Sequence, residues 1–342
     1  MTTLVSLRQH LRSASLVAPM AAVFLSLAFV ACGDGGSTAA EPGGASADEA
    51  GVGGGAESSA ESSAGPSAGA SAGAAAQAGG TGRMATIPAG TVEIQGKSVT
   101  VEPFLMDKYE VTNDDFAAFV DATGYRTESE QIGNSVVFFH GRLKQGLHPF
   151  DVVDGAYWKH PAGSGSDIAG RGDHPVAHVS WNDAQAYANW CGKRLATRAE
   201  WIHAASGGVK DAIYPWGNEL QPSRDYMMNC WQGTFPIEDK ALDGFRGTSP
   251  VGSFPPNAFG LHDVAGNVWE WLGERKSVGS GPEDELAEKR GGSFLCREDA
   301  AEAQGFHRCK GYQLDRFEWS PIINGNDNVG FRCVKSLPAP AK

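Results

Sequence analysis

Apolar residues are distributed in three different ways along this chain. Near the start they form a single run, Leu16 to Ala31, interrupted by Pro19. Gly33 to Arg83 is almost entirely Gly, Ala, Ser and Glu, with no aromatic residue and no apolar period. From Met84 to about Val334, short apolar sets recur between glycines and polar residues. Three of these sets have the helical period. Thr112 caps the first, with Asp115 three residues on; Phe116, Phe119 and Val120 make its apolar face and Gly124 ends it. Ser180 caps the second, with Asp183 three on, and Ala184, Tyr187 and Cys191 line one stripe before Gly192. Thr197 and Glu200 form a capping box for the third, which carries Trp201, Ala204 and Ala205 and stops at Gly207-Gly208. Alternating β-branched residues predict short strands at Ala85–Ile87, Thr91–Ile94 and Ser98–Val101. Long periodic segments are few, while glycine and tryptophan are frequent. The expectation is one α+β domain over 84–335, low in regular secondary structure, followed by a short tail, 336–342.

The ends of the chain read differently. Arg8 and Arg12 precede the apolar run with no acidic residue, and the run falls short of the ~20 residues of a membrane span. It ends Val30-Ala31-Cys32, so residues 1–31 have the shape of a secretory signal peptide. Cys32 then predicts a bacterial lipoprotein, exported and membrane-anchored through a lipid on that cysteine, facing the periplasm or the cell exterior. Phe29 stands where such signals usually carry Leu. Ordinary cleavage nearby, giving a soluble exported protein, is the other reading. Residues 32–83 cannot bury enough surface to offset their ordering entropy, which makes them a disordered tether.

The formal net charge of -12, without any basic stripe, excludes the phosphate-backbone affinity of a nucleic-acid binder. No nucleotide loop and no serine-hydrolase elbow is present. His174 and His178 have i,i+4 spacing, but Pro175 argues against a helix between them and no third ligand is near, so packed loop histidines are the better reading. Acidic residues near loops suit Ca²⁺. The chemistry concentrates late in the chain, in Gly-Gly-Ser-Phe-Leu-Cys at Gly291–Cys296, in Cys309, and in Asn-Val-Gly-Phe-Arg-Cys at Asn328–Cys333. Soft thiolates on a turn can hold Cu(I), form a labile disulfide, or do both.

Ordered blocks around these cysteines carry a resemblance. They include Ile87-Pro88-Ala89-Gly90-Thr91, Asp107–Asn113, Gly124–Glu128, Trp158-Lys159-His160-Pro161, Val179–Ala184, Gly192-Lys193-Arg194-Leu195, Tyr214–Asn218, Trp231-Gln232-Gly233, Pro255–Leu261 and Gly266–Trp271. In these the chain resembles the formylglycine-generating enzymes, or sulfatase-modifying factors, over essentially the whole folded part. Trp231-Gln232-Gly233 and Thr127-Glu128-Ser129-Glu130 are similar to the enzyme-type branch. The resemblance implies a C-type-lectin-like α+β fold. It implies oxidation of one cysteine in a sulfatase-type protein to Cα-formylglycine, using O₂ as cosubstrate and Cu(I) held by two cysteine thiolates. The substrate would present an extended Cys-x-Pro-x-Arg segment.

By this resemblance Cys296 is the first copper ligand. The family's second follows after four intervening residues, but Ala301 stands there, so Cys309 is taken as the second, across a longer loop. Lengthening a loop adds only about 0.6 kcal/mol per doubling. Ser293 and Trp269 map to pocket residues, Trp271 reads as a core aromatic, and Arg332 as a residue satisfying buried carbonyls. The implied calcium sites are Asn229, Cys230, Asp243 and Phe245, and Asp263, Gly266, Val268 and Glu270. The family pairs the position of Cys333 with a residue that is Ala188 here. Cys191 lies one turn on, so a Cys191–Cys333 disulfide is expected, with Cys230 buried and unpaired. A second family disulfide is absent, its positions being Ala205 and Leu314. Two other readings stay open: an ordinary Cys296–Cys309 disulfide, and a noncatalytic lectin-like binding or scaffold module that keeps the fold and calcium. A nonheme-iron sulfoxide synthase would need a further helical domain with metal-binding histidines, for which the tether leaves no room.

Overall fold

Among the described residues, every α-helix begins at a residue whose side chain closes a reciprocal cap. The structure, a computed structural model, describes residues 83–297 and 309–338. The expected signal peptide, Cys32, nearly all of the tether and the last four residues lie outside the described residues, as does most of the inserted loop between Cys296 and Cys309. In chain order the elements are β1 (Met84–Ile87), β2 (Gly90–Ile94), β3 (Lys97–Val101), β4 (Phe104–Asp107), α1 (Asn113–Thr123), α2 (Glu128–Ile132), β5 (Asn134–Phe138) and β6 (Phe150–Asp154). Then come α3 (Trp181–Trp190), β7 (Arg194–Leu195), α4 (Arg198–Ala205), β8 (Trp269–Ser277), β9 (Glu285–Arg290), β10 (Glu318–Pro321), β11 (Val329–Gly330) and β12 (Cys333–Ser336). The three helices and three strands expected from the apolar pattern are present. Helix α2 escapes that pattern because it spans only one turn and a half; its signal is the box of Thr127 and Glu130.

Two four-stranded sheets frame the domain, in the orders β1-β4-β12-β7 and β10-β9-β8-β11, with separate hairpins β2-β3 and β5-β6. The last described segment connects the two sheets. Strand β11 pairs in parallel with the start of β8, Val329 opposite Trp269. Strand β12 then runs antiparallel between β4 and β7. Arg332, between them, is fully buried and makes an ion pair with Glu270 at 2.7 Å. Its Nη1 donates to the carbonyls of Asp107 and Lys108, and its Nη2 also donates to the carbonyl of His262, in agreement with the sequence reading of this arginine.

The larger apolar cluster holds Phe116, Trp158, Tyr187, Trp269, Trp271 and Phe331, together with Cys296 and Cys309. Its rings meet edge to face, Phe116 on Trp158 at 5.3 Å and Tyr187 on Phe331 at 5.4 Å between centroids. Such contacts add to the gain from burial. The second cluster gathers Phe104, Met106, Trp201, Leu272 and Val334. Ala205 and Leu314, where the family would place a disulfide, are both buried in it.

The expected Cys191–Cys333 disulfide is not formed. Both residues are thiols. Helix α3 ends at Trp190, so Cys191 is the cap residue rather than a further position on the helical face. Its sulfur donates to the Ala188 carbonyl at 3.4 Å and is hydrogen-bonded to Cys333. That bond to Cys333 is the main cause lowering the Cys191 pKa, while burial pushes the Cys333 thiol well up. Cys230 is buried as expected, its sulfur 3.5 Å from the Gln232 side-chain nitrogen. The two histidines are packed loop residues. His174 Nδ1 lies 2.9 Å from Thr248 Oγ1, and His178 Nδ1 lies 2.8 Å from Ser135 Oγ.

Candidate active site

Strand β9 ends at Arg290 and the chain turns on Gly291 and Gly292, at φ +92° and +71°. Those angles are open to glycine and strained for other residues. The turn also requires a bare backbone. A Cβ on Gly292 would lie 2.8 Å from the Tyr312 nitrogen and 3.0 Å from the Cys296 sulfur. A Cβ on Gly311 would run into the ring of Trp269 and come within 2.9 Å of the Gly292 Cα. The two glycines let the segments touch backbone to backbone, and this contact brings Cys309 to Cys296. The two cysteines form a disulfide with their Cα atoms 4.9 Å apart, and both are buried. The expected convergence of these two sulfurs across the longer loop is therefore present, in its oxidised form.

Ser293 holds the turn from inside. Its carbonyl accepts the Cys296 N–H at 2.8 Å, and its own N–H points at the Cys296 sulfur at 3.4 Å. Its hydroxyl accepts from the Leu295 N–H at 3.3 Å and from the Asn328 side-chain amide at 3.1 Å. Asn328 is thus a site residue that the sequence reading quoted in a motif without assigning a role. Tyr312 is a second: its hydroxyl donates to the Arg297 carbonyl at 2.8 Å, tying the far side of the pair. Trp269 is buried behind Gly311, with the Lys289 ammonium 5.5 Å from its ring centroid. Trp271 is a core residue whose ring N–H donates to the Val179 carbonyl.

A cavity of about 330 Å³ lies beside this turn. Phe294 is in its wall, and so is Trp231, whose backbone N–H donates to the Cys296 carbonyl at 2.8 Å. Phe138 of β5, Trp158, Pro161, His178 and Asp327 also line it. The ring nitrogens of Trp158 and Trp231 are buried without a hydrogen-bond partner, as is Oδ1 of Asp327. Burial pushes Asp327 up to about 7 and His178 down to about 4. Neither Cys296 nor Cys309 is among the residues that line the cavity.

The donor set of the cysteine pair, two soft sulfurs enclosed by aromatic rings, fits Cu(I) once reduced. The two expected calcium sets each gather in space, and part of their oxygens accept hydrogen bonds. The Asp243 carboxylate accepts the N–H groups of Cys230 at 2.9 Å and Phe245 at 3.0 Å. Asn229 donates its amide to the Gly247 carbonyl and to Asn267, and Gly266 packs directly on the Asn229 carbonyl. Val268 is buried beside Trp269, and Glu270 gives its carboxylate to Arg332 and to the Trp201 ring N–H. Asp263 accepts the Gly252 N–H through one oxygen, leaving Oδ1 alone without a partner. These residues brace loops, and Oδ1 of Asp263 is left as a buried oxygen of the kind a hard cation takes up.

The family model described as the sulfatase-modifying factor enzyme 1-like domain matches residues 70–337. The chain belongs to the formylglycine-generating enzyme family. Its α+β fold is that family's fold. The formylglycine-generating enzyme of Thermomonospora curvata is 44% identical over 73% of this chain and 92% of its own length. The mouse formylglycine-generating enzyme is 39% identical over 74% of each chain. A bovine relative named inactive Cα-formylglycine-generating enzyme 2 is 44% identical, over 71% of this chain and 81% of its own. Membership of the formylglycine-generating family is therefore shared by proteins named active and inactive at the same identity. The site, not the fold, has to separate them.

Proposed function

We propose that this chain is a formylglycine-generating oxidase, converting a cysteine of a sulfatase-type protein to Cα-formylglycine with O₂. The observation that carries this reading is the meeting of Cys296 and Cys309, despite their sequence separation of 13, on the turn whose Phe294 lines a cavity. Reduction frees two buried thiolates that would hold Cu(I). The metal, when bound, supplies the O₂ chemistry that a protein side chain lacks. The chain's own residues do the rest. Ser293 directs its N–H at the Cys296 sulfur, and Asn328 fixes the Ser293 hydroxyl. Trp158, Pro161 and Phe294 offer apolar wall to a proline-containing peptide, and the ring N–H groups of Trp158 and Trp231 supply donors for its carbonyls. Burial keeps water from the sulfur pair.

The test uses the full chain. Reduced protein is loaded with Cu(I) and incubated in air with a Cys-x-Pro-x-Arg peptide, and the peptide mass is followed. Aldehyde is expected with the natural chain and is lost in Cys296→Ser and in Cys309→Ser. Tight copper binding without aldehyde, or aldehyde that survives both variants, sinks the proposal. The closed disulfide, together with a 44%-identical relative named inactive, favours a second reading: a noncatalytic binding module in which the pair only staples the loop. That reading predicts no copper uptake after reduction. The proposal also includes export, with a lipid on Cys32; mass analysis of the N-terminal peptide from membrane fractions tests it.

A further inference from the structure

Asp327 is the one acidic side chain in the cavity wall that belongs to the segment leading into the Asn328 motif. One carboxylate oxygen accepts the Phe138 N–H at 2.7 Å. The other is buried and has no donor. The carboxyl is enclosed by β5 through Phe138 and by the loop of His178, whose N–H donates to the Asn326 carbonyl at 2.8 Å. The titratable and charged groups around the cavity are His140, His178, Arg171, Asp239 and Arg246. None of them pairs with Asp327 among the described residues. A buried carboxylate normally has a partner, because leaving one ionised and unpaired is costly. Here no counter-charge is built into the fold, and Asp327 lines the cavity.

We propose that Asp327 is a specificity-determining residue of the cleft, serving as counter-ion to a cationic side chain of the bound peptide. The inference rests on the peptide-oxidase reading and names the residue that would read the arginine of a Cys-x-Pro-x-Arg segment. A free oxygen beside a fixed one suits a guanidinium, which brings several donors in one plane. Burial, which holds the carboxyl up near 7, makes the preference depend on pH: Asp327 is neutral well below that value and charged above it.

Binding is measured with labelled peptides whose cysteine is replaced by serine, so that affinity is read without turnover. Ser-x-Pro-x-Arg and Ser-x-Pro-x-Gln are compared on the natural chain, on Asp327→Asn and on Asp327→Ser. At about pH 8 the natural chain is expected to favour the arginine peptide roughly 10- to 100-fold, the range of a charged hydrogen bond. Both variants should lose that preference while binding the glutamine peptide as before. Lowering the pH to about 6 should shrink the preference of the natural chain and leave the variants unchanged. An arginine preference that persists in both variants, or is absent in the natural chain, overturns the inference. Aldehyde formation on the cysteine peptide separates the two claims. Aldehyde with an Asp327-independent preference removes only this inference, an Asp327-dependent preference without aldehyde removes only the oxidase reading, and no peptide binding removes both.

Discussion

Asp327 and the two glycines of the cysteine turn show how single residues set this site. Because the Asp327 pKa is raised by burial to about 7, the folded state holds its proton more tightly than the unfolded chain does. The stability this contributes is present at low pH and is lost as pH rises through about 7. Asp327→Asn, which keeps an acceptor for the Phe138 N–H, is therefore expected to melt higher than the natural chain at about pH 8. The gap should close towards about pH 5, and thermal melts across that range check the sign. The glycines act through sterics. Gly311→Ala puts a methyl into the Trp269 ring, and Gly292→Ala presses on Tyr312 and Cys296 at a positive φ. Each should destabilise by about 1–3 kcal/mol, the usual cost of overpacking, and each should raise the reactivity of Cys296 and Cys309 towards thiol reagents after mild reduction. The flanking motif Gly-Gly-Ser was visible in the sequence. The partner glycine was not, because nothing local marks Gly311 as a residue that must lie against a ring from β8.

At the scale of elements, the helices are legible from their first turns and the sheets are not. Four capping boxes open α1 to α4, each with the oxygen-bearing residue three positions before its acidic partner. In α4, Glu200 also receives both guanidinium nitrogens of Arg194, at 2.7 and 2.6 Å, so the cap ties the helix to β7. Thr197→Ala should cost about 1 kcal/mol through the lost cap, and Glu200→Ala more, since it removes the cap and the β7 tie together. Chemical denaturation of the two variants gives the order. Strands β8 and β9 were not foreseen. Buried residues such as Glu288, Lys289 and Arg290 break the alternation that a half-exposed strand would show, and their charges are paired instead, Glu288 with Arg198 and Arg290, and Lys289 with Glu318.

For the whole molecule, the decisive feature is that residues 328–336 join both sheets and carry Arg332 into the core. Arg332→Met leaves Glu270 buried without its partner beside Glu110 and Asp263. Burial already pushes both of these carboxyls up, and Asp263 adds to the effect on Glu110. A loss of about 3–5 kcal/mol is expected, measured by denaturant titration. Disulfide mapping under non-reducing conditions should find Cys296 linked to Cys309, with Cys191, Cys230 and Cys333 recovered as thiols after unfolding. A Cys191–Cys333 crosslink in that map would show that the thiols close in solution.

Local chemistry is what the sequence alone determined: caps and glycines fix where helices start and stop, and the ordered motifs fix the family and the pair of sulfurs to watch. Long-range contact decided the rest. Whether Cys309 reaches Cys296 depends on two bare backbones meeting, and whether Cys191 reaches Cys333 depends on where α3 stops. Whether a carboxylate takes up a cation or an N–H depends on which loop packs against it. None of these is encoded at short range, because each is settled by the position of an atom from a distant part of the chain.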